Sequence, residues 1–113
     1  MSRTSLPAWE QEYKRLQQQL ARIGYISQGS VVDRSRLKQP RSGFQWTRKL
    51  SQKTVTVALS QDQFNALSRA IRNRRALAKT IRRMEQLSRK IIFATAPDTN
   101  HRKPLPPKVL GLI

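Results

Sequence analysis

Apolar and polar positions alternate from Thr54 to Leu59, with Val55, Val57 and Leu59 set between Thr54, Thr56 and Ala58. A repeat of two is the mark of a half-buried strand, because successive side chains leave opposite faces of the pleat. Just upstream, Phe44 and Trp46 stand two apart and suit a matching strand. A two-residue connection at Ser51-Gln52 sets Leu50 opposite Lys53, Trp46 opposite Val57 and Phe44 opposite Leu59. That register collects the large apolar side chains on one face and leaves Gln45, Thr47, Lys49, Thr54 and Thr56 on the other. A slip of one residue mixes the two faces, so the pattern selects the pairing. Ser-Gln is a poor primed-turn dipeptide, since such turns favour Gly or Asn at positive φ, and a longer or bulged turn is the alternative. The expectation is a hairpin over 44–59 with one oily and one polar, basic face.

Helical spacing flanks this hairpin on both sides. Ser5 and Pro7 open the first helix, proline standing where its missing N–H costs little. Trp9, Tyr13, Leu16, Leu20 and Ile23 then recur at intervals of four, three, four and three, an apolar seam of the coiled-coil type. Glu10 and Lys14 sit one turn apart in the favourable order. Gly24 is placed to end the helix in a left-handed cap, which predicts a helix over 6–23. The run Gly29 to Leu37 has β-branched residues but poor alternation and predicts an irregular strand over 30–36 at the hairpin's edge. Lys38 to Gly43, with Pro40, is loop chemistry. Ser60 and Gln63 form a capping box, and Asp62 suits the positive helix end. Phe64, Leu67 and Ile71 mark one apolar stripe; Leu77, Ile81, Met84 and Ile91 mark another, rotated from the first near Asn73 to Arg75. With no proline to interrupt it, one long helix over 61–90 is expected.

After Ala94, Pro97, Pro104, Pro106 and Pro107 with Asp98, Thr99 and Asn100 cannot continue a helix and bury little. They predict an extended, disordered tail. The predicted class is α+β: helix, small antiparallel sheet, long basic helix. One domain over 1–93 carries these elements, and 94–113 is the tail.

Charge changes the picture. In 113 residues the chain holds 23 Lys and Arg against 6 Asp and Glu, a net +17. Such an excess repels itself in a compact state and seeks a polyanion, with nucleic acid the leading candidate. No apolar run approaches the length of a membrane span. The absence of cysteine excludes disulfides, thiol catalysis and cysteine-bound zinc. No apolar signal-peptide core stands at the N-terminus, so the cytoplasm is the default. The carboxylates Glu10, Glu12, Asp33, Asp62, Glu85 and Asp98 are scattered, unlike the converging set of a two-metal enzyme. The single histidine, His101, lies in the tail, away from any serine it would activate. A non-enzyme without metal or cofactor is expected.

Three groups are candidate binding residues. On and beside the hairpin, Arg34, Arg36, Lys38, Arg41, Thr47, Lys49 and Lys53 form a basic face able to lie against a nucleic-acid groove, as two-stranded ribbons do. Along the second helix, Arg69, Arg72, Arg75, Lys79, Arg82, Arg83 and Lys90 share part of the circumference, interrupted by one acid, Glu85, and suit phosphate tracking. Trp46 invites a base-stacking role, but the register directs it to the core with Val57. The seam of the first helix is open to pairing with the second helix or with another subunit. In the tail, Val109, Leu110, Leu112 and Ile113 follow a Pro104-Leu105-Pro106-Pro107 string and suit capture by a partner protein, or docking on their own domain.

The order of these motifs resembles a family of short bacterial proteins, known as a domain of unknown function and commonly encoded on or near transposons and other mobile elements. The resemblance runs through Gly24-Tyr25-Ile26, Gly29 to Arg34, Phe44 to Lys49, Lys53 to Thr56, and Asn73 to Leu77. Gln45-Trp46-Thr47-Arg48-Lys49 with Lys53-Thr54-Val55-Thr56 is its most specific part. Many relatives carry a cysteine-containing insertion before the hairpin, where this chain has Leu37 to Ser42 and no cysteine. Any role of that insertion is not inherited. The resemblance implies a genomic setting and no mechanism. The residues carry the expectation of a non-catalytic nucleic-acid-binding accessory protein that docks a larger protein such as a recombinase or nuclease. The setting ranks DNA ahead of RNA. An adaptor or inhibitor for an acidic protein surface and an RNA-binding ribonucleoprotein component are the alternatives. Self-association through the seam stays open.

Overall fold

The computed structural model describes residues 5–99 and 103–112. The elements follow the order α1 (Ser5–Ala21), β1 (Ser30–Asp33), a 3-10 turn (Arg34–Arg36), β2 (Phe44–Leu50), β3 (Lys53–Leu59) and α2 (Gln61–Thr95). The class is α+β, as the pattern predicts. Two compact units emerge, one built from Ile23–Leu77 and the other from Met1–Arg22 with Ala78–Ile113.

In the first unit, three antiparallel strands lie in the order β1-β2-β3. The hairpin register is the one that segregates the two faces: Phe44 faces Leu59, Trp46 faces Val57 and Leu50 faces Lys53. The connection is the short one, with Ser51 at φ 50° and Gln52 at φ 67°. Both residues take the left-handed conformation of a primed turn, which matches the twist of the strands although neither is glycine or asparagine.

β1 joins the hairpin through β2, setting Val31 opposite Trp46 and Asp33 opposite Phe44. It stops earlier than expected. The Asp33 carboxylate accepts the Ser35 N–H at 3.0 Å and the Ser35 hydroxyl at 2.7 Å, a local turn that competes with the strand. The chain therefore enters a 3-10 turn at Arg34–Arg36 instead of running on as strand to residue 36.

Phe44 meets Phe64 of α2 with ring centroids 4.5 Å apart and planes tilted by 31°, a pairing that adds about 1 kcal/mol to the area it buries. Further along α2, Ala70 and Ile71 are buried. The capping box forms in full: Ser60 Oγ accepts from the Gln63 amide at 3.2 Å and Gln63 Oε1 accepts from the Ser60 amide at 2.9 Å.

Trp46 is not a core residue, since Val57 opposite it is exposed and the indole itself is half-buried. Its Nε1–H donates to Gln28 O at 3.0 Å. On one side the ring lies against Gly29, at φ +102°, where a Cβ would collide with Nε1. Arg48 stands over the ring at 5.7 Å.

In the second unit, the seam residues Trp9, Tyr13, Leu16 and Leu20 are half-buried, and Leu87 of α2 is fully buried. Trp9 lies under Lys90 at 5.5 Å, while Glu12 bonds Arg83. Contacts that run in opposite order along two helices make the pair antiparallel. α1 ends at Ala21, its last turn tightened by the Arg22 amide on Gln19 O. Gly24 is not the left-handed cap that its position suggested, since Gly29, Gly43 and Gly111 are the glycines with positive φ.

The C-terminal residues also depart from the extended tail. Val109 donates to Pro106 O at 3.0 Å, Leu110 to Pro107 O at 3.1 Å and Gly111 to Lys108 O at 3.1 Å. The Gln86 side-chain Nε2–H then donates to Gly111 O at 3.1 Å. Proline supplies the fixed φ that starts such turns, and the half-buried Leu105, Leu110 and Leu112 give them something to cover. Among the described residues, no helix is long and apolar enough to cross a membrane.

Candidate nucleic-acid interface

The basic loop after β1 is closed by its own backbone. Arg34 N–H donates to Gly43 O at 2.9 Å, and Arg34 O accepts from the Arg41 amide at 3.0 Å and the Leu37 amide at 3.3 Å. Residues 34–43 thus return to their starting point with Arg36, Lys38 and Arg41 exposed on the way. The acid at the loop's entrance, Asp33, is occupied. Its carboxyl is held below the ordinary aspartate range by the Ser35 hydroxyl and amide, with a smaller contribution from Arg36.

Arg34 itself is half-buried, its Nε donating to Gln45 Oε1 at 3.3 Å across the polar face of the sheet. Thr47 on that face is half-buried too, its hydroxyl 3.5 Å from that of Thr56 across the hairpin. These two are partly absorbed by the fold. Lys49 and Lys53, towards the hairpin tip, are exposed.

On the part of α2 in the same unit, Arg72 and Arg75 are exposed, as are Arg69 and Arg74. On its part in the other unit, Lys79 and Arg82 are exposed, whereas Arg83 is not available. Its guanidinium grips Glu12 with Nε to Oε2 at 2.6 Å and Nη2 to Oε1 at 2.8 Å, and Nη1 also reaches Gln86 Oε1 at 3.4 Å. The same pairing pulls the Glu12 carboxyl below the ordinary glutamate range, against a smaller opposing effect of burial, and pushes Arg83 further up. A second carboxylate, Glu85, stands 3.9 Å from Arg89.

The set is therefore uneven. Among the described residues, Arg36, Lys38, Arg41, Lys49, Lys53, Arg72, Arg75, Lys79 and Arg82 are exposed and make no ion pair. Arg34, Thr47 and Arg83 have partners inside the protein. Comparison with known protein families, curated proteins and solved structures gives no match. The site is thus carried by its own chemistry.

Of the expected partner-docking residues, Val109 is 65% exposed. Leu110 and Leu112 are half-buried, and Ile113 lies outside the described residues. No three His, Cys, Asp or Glu side chains among the described residues come together in a group that could hold a metal.

Spacing along the chain did not reveal the closure of the basic loop, although Asp33-Arg34-Ser35 is a recognisable Asx-turn signal. Nor did it single out Arg74, which shares the exposed, basic character of its neighbours.

Proposed function

We propose that this protein is a non-catalytic nucleic-acid-binding module that holds the phosphate backbone by charge. The observation that carries this reading is the separation of signs. Glu12 is taken up by Arg83, Asp33 by the turn it caps, and Asp62 lies in the first turn of α2. Glu10, Asp62, Glu85 and Asp98 are exposed, but exposed cations that make no ion pair outnumber them, in a chain of net +17. A solvated protein surface ordinarily mixes the two signs. A surface on which cations predominate this strongly instead favours a polyanion and speeds its capture.

The contacts are of the positioning kind: long flexible cations on a loop, a hairpin end and a helix reach phosphates with little reference to base identity. The mobile-element setting implied by the motif resemblance favours DNA as the natural target.

Binding of the purified, nuclease-treated protein to a duplex of arbitrary sequence tests the proposal. Log affinity should fall linearly with log salt, by about 0.9 per phosphate neutralised. Replacing Arg75, Lys79 and Arg82 together by Gln should flatten that dependence. Weak binding with no dependence on salt would overturn the reading and leave the charge to serve an acidic protein surface.

A further inference from the structure

The segment between α1 and β1 is short and lacks regular structure, yet it is pinned at three points. Asn73 of α2 donates its side-chain amide to Tyr25 O at 2.9 Å. The Ser27 amide donates to Ala70 O at 3.2 Å, and Gln28 O accepts the Trp46 indole N–H at 3.0 Å. Gly24 eases the approach to the helix, since a Cβ there would lie 3.1 Å from Asn73 Nδ2 and press the side chain back slightly. Each anchor uses the backbone of the segment. None uses the side chain of Tyr25, which is 93% exposed, and Ile26 beside it is 48% exposed.

A single exposed aromatic is unremarkable where the chain is loose. Here the backbone is ordered before any ligand arrives, so a contact made by the ring does not have to offset the ordering of its loop. The surroundings are also cationic. Asn73, which fixes Tyr25, is flanked by exposed Arg72 and Arg74, with exposed Arg69 one turn earlier on the helix. Aromatic faces beside phosphate-binding cations are what single-stranded nucleic acid requires: the cations follow the backbone while an unstacked base lies on the ring. A duplex offers no such base, because its faces are covered by their neighbours.

The geometry points to Tyr25 as a stacking platform for a base of single-stranded nucleic acid. This assignment rests on the charge-based reading above and adds the class of nucleic acid. It also replaces Trp46, whose indole N–H is bonded to Gln28 and whose ring is flanked by Gly29 and Arg48.

The test measures the full chain against oligo-dT, oligo-U and a duplex of equal length at one salt concentration. Tyr25→Ala should weaken single-strand binding on the order of tenfold and leave duplex binding within about twofold. Tyr25→Phe and Tyr25→Trp should retain it. The salt dependence should be the same in all three variants, because the lost contact is not ionic. Substituting 5-iodouracil in the oligonucleotide should place the photo-crosslink on Tyr25.

If Tyr25→Ala leaves binding of both single strands unchanged while the salt dependence persists, the platform is refuted and the phosphate clamp stands. Equal weakening on duplex and single strands refutes it as well. A wild-type chain that binds none of the three refutes both readings. Loss of a co-purifying protein with nucleic-acid binding intact would make Tyr25 a protein-docking residue and likewise overturn the assignment.

Discussion

Glu12 and Arg83 are 71 residues apart in sequence and share two hydrogen bonds, at 2.6 and 2.8 Å. The pair joins α1 to α2 side by side with the cation–π contact of Trp9 and Lys90. A carboxylate and a guanidinium matched in this forked way gain direction as well as charge. Both side chains remain partly open to water, with exposures of 39% for Arg83 and 29% for Glu12, so the gain is moderated by solvent screening.

Glu12→Gln should therefore lower stability by about 1 kcal/mol, seen as a melting temperature several degrees lower. The pH dependence follows from the direction of the shift. Glu12 titrates lower in the folded chain than in the unfolded one, so its contribution is present above the ordinary glutamate range. It is lost as pH falls through the depressed folded value. Thermal melts of wild type and variant should converge on acidification. Curves that stay parallel down to the acid transition would show that the pair contributes nothing.

Neighbouring arginines on α2 should then behave differently. Arg82 is exposed and makes no ion pair among the described residues, whereas Arg83 is committed to Glu12. Arg82→Gln should reduce the salt slope of nucleic-acid binding by about one and leave the melting temperature in place. Arg83→Gln should do the opposite. Titrations at several salt concentrations with a parallel melt distinguish the two, and a lowered slope for Arg83→Gln would return it to the binding surface.

The difference between these residues marks what the chain disclosed and what it withheld. The register of Phe44 with Leu59 and the box of Ser60 with Gln63 depend on side chains close in sequence, and local pattern reveals them. Glu12 offers no such signal, because its partner is chosen by the meeting of two distant helices. The end of β1 at Asp33 was decided by a side chain bonding its own backbone, which overrides the β-branched character of Val31 and Val32. Gly24 has the composition of a cap but not its left-handed φ, and it lies close to Asn73, a neighbour distant in sequence. Of the expected interface, the exposed cations were legible from charge alone. The partners that withdraw Arg34, Thr47 and Arg83 were not.

The tip of the hairpin carries a local conflict. Ser51 and Gln52 both hold positive φ, which costs a residue with a Cβ roughly 1 kcal/mol. Ser51→Asn combined with Gln52→Gly supplies the dipeptide that the primed turn favours. The double variant should melt several degrees higher, a gain of about 1 kcal/mol. Lys49 and Lys53 are untouched, so the salt slope of binding should not change. A lower melting temperature would mean that the turn is not of the primed kind in solution.

At the other end, Gly111 stands at φ +70°, and a Cβ there would lie 2.9 Å from Arg89 Nη2. Its carbonyl accepts from Gln86, and Leu112 closes the turn on Pro107 O at 3.0 Å. A tail serving only as bait for a partner would need none of this. The guanidinium of Arg89 can move aside, so the conformational term dominates in Gly111→Ala, which should cost about 1 kcal/mol. Removing residues 103–113 should likewise lower the melting temperature of the chain by several degrees, because Leu105, Leu110 and Leu112 lose the surface they cover. Neither change touches Arg36, Lys38, Arg75 or Lys79, so duplex affinity at fixed salt should hold within about threefold, the loss of Lys103 and Lys108 accounting for the difference. If both variants melt like wild type, the turn is not held in solution and Val109 to Leu112 are free to be captured by a partner. A truncated chain that keeps its melting temperature but loses duplex binding would instead place Lys108 in the basic surface.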